Sequence, residues 1–145
     1  MELIEVLGWG LLAGLIGTVV LTISENIEIK LTGRAPSMVP GEVGFRLFGK
    51  RPKNQEDLKK VSSFVHWTHG ITLGALFGLL TLLDLNLALT VALFFGLLWP
   101  GDVMLYKALK IAEWPWKWRR SELLTDLFHK GVYAVATGLA FVAIT

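Results

Sequence analysis

The chain has 145 residues, no cysteine, 53% apolar residues and a mean hydropathy of +0.56. The missing cysteines exclude disulfide and thiolate chemistry, and so apolar a chain is not an ordinary soluble domain, whose helices each keep a polar stripe. Its formal net charge is +2, but all 14 basic residues fall in two blocks, Lys30–Lys60 and Lys107–Lys130; bases so placed beside apolar segments answer to anionic lipid headgroups rather than to nucleic acid.

Charged residues are absent from 6–24, 61–83, 85–101 and 131–145. Each tract approaches or reaches the roughly 20 residues that cross a bilayer. The expected fold is all-α: a single domain, 1–145, forming a polytopic membrane protein with an antiparallel bundle of four transmembrane helices. The apolar spans are about 4–26, 61–83, 87–107 and 121–144, inside helices of about 4–32, 55–83, 87–110 and 121–144. Loops of about 33–54 and 111–120 connect them.

The N-terminus, MELIEV, has two acids and no base, unlike a secretory signal, so the first helix is expected to be retained. This helix carries Gly10, Gly14 and Gly17 and stops at Gly33, a residue suited to a helix C-cap. In the loop that follows, EVGFRLFGK alternates apolar and basic residues and is expected to lie on the membrane surface. Asn54 caps the run into the second long helix, where Gly70, Gly74 and Gly78 recur at a spacing of four. Small residues at that spacing let helices approach closely in lipid. The short turn LLDLNL makes a helical hairpin, Pro100 and Gly101 should kink the third long helix near its cytoplasmic end, WPWKWRR forms an interfacial collar, and Ser121 caps the fourth.

The ends differ in charge. The N-terminus, the turn at Asp84 and the C-terminal segment hold no basic residue. The positive-inside rule then places both basic loops in the cytoplasm and both termini outside, in the cell (inner or plasma) membrane.

Up-and-down threading brings unusual polar residues to the cytoplasmic end. Glu25 and Glu28 close the first helix, His66 and His69 open the second, Asp102 ends the third, and Asp126 and His129 open the fourth. Glu122, Asp126, His129, Tyr133 and Thr137 make one stripe, which should face the helices rather than lipid. Ionisable groups at membrane depth are costly, pair with one another and tend to mark function. Acids and imidazoles from several helices are the ligand types of dimetal carboxylate bundles, so Glu25, His66, His69, Asp102, Asp126 and His129 are candidate ligands for Zn, Fe or Mn. Tyr133, Glu28 and Glu122 would support them. Alternatives stand beside this one. His66 and His129 could be the two axial ligands of a haem b. The polar residues could serve a substrate or proton pathway. Asp126 and His129 could pair within their helix, with Glu25 on Arg34 or a nearby lysine and the other histidines on lipid phosphate or loop carbonyls. The chain would then be a structural or accessory subunit of a membrane complex, or a homo-oligomer packed through its glycines. GxGxxG, P-loop, G-x-S-x-G and H-E-x-x-H motifs are all absent, and no reaction is implied.

The segments GTVVLTISENIEIKLTGRAPSMVP, VHWTHGITLGALFGLL and DLFHKGVYAVATGLAF resemble a family of uncharacterised four-helix bacterial integral membrane proteins. The resemblance implies the four-helix fold and puts His66, Trp67, Asp126, His129 and Tyr133 at motif positions, His69 less closely. It brings no established activity.

Overall fold

A computed structural model describes residues 1–145. It is all-helical: α1 Leu3–Thr32, α2 Val39–Leu47, α3 Gln55–Thr81, α4 Leu87–Ala108 and α5 Arg120–Ile144, with a 3-10 turn at Pro115–Lys117. Three helices, α1, α4 and α5, are long and apolar enough to cross a membrane. α3 is as long, but its first turns carry Glu56, Asp57, Lys59 and Lys60, and its middle carries two histidines.

The helix ends follow from local chemistry. α1 stops where Gly33 turns left-handed, at φ 70°, and returns its N–H to Ile29 O. Asn54 caps α3 by accepting a hydrogen bond from Asp57 N at 2.9 Å. Asn86 does the same for α4 through Leu89 N at 3.0 Å. Ser121 is not the cap expected for the last helix. That helix already begins at Arg120, with Arg119 in the cap position and no side-chain cap bond. Pro100 sits inside continuous α4.

The loop of 33–54 holds a helix that alternation in EVGFRLFGK concealed. Proline in the first turn fixes the backbone for α2, and two glycines one turn apart let it dock on α3. A Cβ on Gly41 would stand 2.6 Å from Leu58 O, and one on Gly44 would stand 2.7 Å from Val61 Cγ1. One face of the helix therefore packs on protein, while Leu47 and Phe48 at its end stay exposed.

Interhelical contacts give the direction of each long helix. Along α1, Gly14, Thr18 and Thr22 meet Gly74, Gly70 and His66 in turn, so α3 runs opposite. Gly17 meets Thr137, and Ser24 meets His129, so α5 also opposes α1. Trp99 meets Asp126 while Val91 meets Gly138, which sets α4 against α5. Alternation brings the end of α1, the start of α3, the end of α4 and the start of α5 to one pole, together with both basic blocks. Asp84 and the chain termini lie at the other.

α1 and α3 touch through backbone. A Cβ on Gly10 would stand 2.5 Å from Gly74 O, and one on Gly14 would stand 2.7 Å from Gly74 Cα. The glycine faces of both helices are thus occupied within one chain, and an oligomer built on them would have to displace this packing. The core lies toward the other pole, where Phe77, Phe94, Phe141 and Tyr133 pack edge-on or tilted against one another. Outside, Leu11, Leu15, Val19, Leu93, Leu97, Leu139 and Val142 are all exposed. So broad an apolar surface exceeds what a water-soluble monomer carries.

A candidate ligand cavity at the basic pole

The residues at the basic pole bond across helices rather than along them. His66 and His69 are three apart, so their side chains diverge by roughly 60° around the α3 axis. That divergence sends them to different neighbours. His66 Nε2 lies 2.9 Å from Thr22 Oγ1 on α1. The Thr22 hydroxyl already donates to Thr18 O at 2.7 Å, so His66 is the donor, protonated on Nε2. His69 Nε2 lies 3.0 Å from Asp102 Oδ1 on α4.

α5 does the same with adjacent residues. His129, 5% exposed, places Nδ1 at 3.0 Å from Ser24 Oγ on α1. Its Nε2 stands 3.8 Å from Glu28 Oε2 and has no hydrogen-bond partner. Lys130 turns the other way and donates to Asp102 Oδ2. Asp102, also 5% exposed, is held on both oxygens, by α3 and by α5. Tyr106 OH stands 3.4 Å from the same ammonium. Asp126 accepts from Trp99 Nε1 at 2.8 Å rather than pairing with His129. Tyr133 donates to Gly70 O at 2.5 Å.

Glu28, at the end of α1, takes a forked pair from Arg34, whose Nη2 lies 2.7 Å away. This carboxylate pushes the guanidinium further up in basicity. The expected Glu25–Arg34 pair does not form; Glu25 has no hydrogen-bond or ion-pair partner within the chain. In the last turn of α4, Lys107 bonds Glu113 at 2.7 Å and holds its carboxyl below the usual carboxylate range. In the collar, Trp114 and Trp116 stack at 5.4 Å, and Trp118 Nε1 donates to Glu113 O.

The six residues expected to share a metal are dispersed among these bonds. No three histidine, aspartate or glutamate side chains stand close enough to hold one ion. The reason is geometric: an i, i+3 pair shares a broad face, and in the pairs His66/His69 and Asp126/His129 each member serves a different neighbouring helix. Haem ligation by His66 and His129 would likewise require His66 Nε2 to leave Thr22.

What the residues do share is a space. A cavity of about 920 Å³ opens between the helices at this pole. Glu25, His66, His69, Asp102, Asp126 and His129 all line it. Glu122 and Tyr133 join them; Glu28 does not. Sequence reasoning missed three participants, Trp99, Tyr106 and Lys130, and considered Arg34 only as a partner for Glu25 rather than for Glu28. Lys130 carries a legible signal, since it stands four residues after Asp126 and next to the buried His129, yet its position in the chain groups it with the loop bases. No protein-family model, curated protein or solved structure matches the chain.

Proposed function

We propose that the protein crosses the cell membrane four times, as a bundle of α1, α3, α4 and α5, and binds a small organic molecule in the cavity at its cytoplasmic pole. α3 would be the fourth span, shielded in part by α1. Both basic blocks would then lie in the cytoplasm and both termini outside. The resemblance to four-helix bacterial membrane proteins belongs to this same proposal. The observation that carries the reading is the cavity itself: about 920 Å³, within the roughly 300–1,000 Å³ of small-molecule sites, and walled by ionisable groups from all four long helices. A metal ion would need a tighter convergence than these side chains make.

Because the chain has no cysteine, introduced thiols report on this directly. Thr125 lines the cavity, and Leu139 is an exposed apolar residue of α5. In vesicles, Thr125→Cys should react with charged, membrane-impermeant methanethiosulfonates admitted to the cytoplasmic side, and Leu139→Cys should not. Inert Thr125→Cys would remove the water-reachable cavity; reactive Leu139→Cys would remove the bilayer around it.

A further inference from the structure

We infer, resting on the cavity reading above, that the ligand is an organic cation: an alkylammonium, carried by a soluble amine or by a lipid headgroup. The lining holds five carboxylates against three basic side chains. The bases are largely spent. Arg34 is forked onto Glu28, which lies outside the lining. Lys130 is bound to Asp102, and the third, Lys59, is exposed on the outer turns of α3. Of the acids, Asp102 and Glu113 have lysine partners, but the other three do not. Glu25 has no bonded partner, Asp126 bonds only the neutral indole N–H of Trp99, and Glu122, which is exposed, has none. Lys130 and Arg34 act on Glu25, and Lys130 on Asp126, only through space; acids without a bonded cation at the edge of a membrane are costly, and a cationic guest would make the direct contact that these bases do not.

The wall already shows how it holds an ammonium. Lys130 Nζ sits against Asp102 and 5.4 Å from the centre of the Tyr106 ring, an arrangement of carboxylate and aromatic face that favours cations. Trp67 and Trp118 extend the aromatic lining. Buried His129 lines the same cavity, with Nδ1 at 3.0 Å from Ser24 Oγ and Nε2 left without a hydrogen-bond partner. A cavity of this volume is too large for a bare inorganic cation and fits an amine with its organic body.

The test uses the Thr125→Cys chain in a maltoside detergent. Trimethylammonium-bearing and sulfonate-bearing methanethiosulfonates are compared, each rate normalised to that with a free small thiol. The cationic reagent should react at least about tenfold faster, as focusing by an acidic cleft gives. Glu25→Gln with Asp126→Asn should abolish the preference; both changes keep side-chain size, and the amide oxygen introduced by Asp126→Asn can still accept from Trp99. Tetraethylammonium should slow labelling, and benzenesulfonate should not. Protection that appears only on adding phosphatidylethanolamine would assign the ammonium to a lipid, and protection by tetraethylammonium to a soluble amine; both support the inference. Equal normalised rates, or a preference that survives the double substitution, would overturn it while leaving the cavity in place. Failure of both reagents to react would instead overturn the cavity.

Discussion

Replacing Gly74 with alanine should destabilise the protein sharply, and replacing it with leucine should prevent folding. Gly74 faces Gly10 and Gly14 across the α1–α3 contact. A Cβ placed there would lie 2.5 Å from Gly14 Cα and 2.6 Å from Gly14 N. Those atoms are backbone, so no rotamer change makes room, and the two helices must part along their length. Overpacking by one methyl ordinarily costs about 1–3 kcal/mol, and a backbone clash belongs at or beyond the upper end. Gly96 on α4 is the matched control, because nothing lies within 4 Å of its added Cβ. There the helix preference for alanine is worth up to about 1 kcal/mol in favour of the variant. Thermal unfolding in detergent should therefore place Gly74→Ala well below the native chain and Gly96→Ala at or slightly above it. Equal melting of the Gly74→Ala and native chains would mean that the two glycine faces do not meet inside the chain, and would return them to the surface.

The second large effect concerns Asp102 and Lys130. Asp102 is 5% exposed and bonded on both oxygens. Lys130→Met removes the charge that balances it and leaves a desolvated carboxylate leaning on His69 alone. Breaking one side of a buried ion pair costs about 3–5 kcal/mol. Removing both sides, as Asp102→Leu with Lys130→Met, should recover most of that loss, since an apolar pair of similar volume carries no desolvation penalty. The native chain, the two single variants and the double variant form a double-mutant cycle. Strong non-additivity in their melting is expected; additive losses would show that the two groups are solvated separately.

Much of this architecture is legible in the sequence because apolar tracts and caps are local signals. Gly33 and Asn54 end and begin helices where their chemistry requires, and the expected bounds of the long helices fall close to those observed. α2 was hidden because its glycines, rather than an apolar stripe, make its packing face. The stripe turns inward from Asp126 through His129 and Tyr133 to Thr137 as its spacing implies, while Glu122 stays exposed. What the stripe bonds to could not be read from α5. Asp126 depends on Trp99, 27 residues earlier, and Lys130 on Asp102, 28 residues earlier. A ligand set inferred from i, i+3 spacing assumes that both side chains point at one centre. His66 and His69 show the alternative, one serving α1 and the other α4.

The central claim is that the helices carry both basic blocks to one side of a bilayer and the α3–α4 turn to the other. Sidedness of single thiols in intact cells measures this most directly, using Lys50→Cys in the first basic block and Leu83→Cys at the turn, both exposed. An impermeant maleimide added outside should label Leu83→Cys at once and Lys50→Cys only after lysis. Labelling of both from the same side, or of Lys50→Cys alone in intact cells, would contradict the proposed threading and the cytoplasmic position of the cavity.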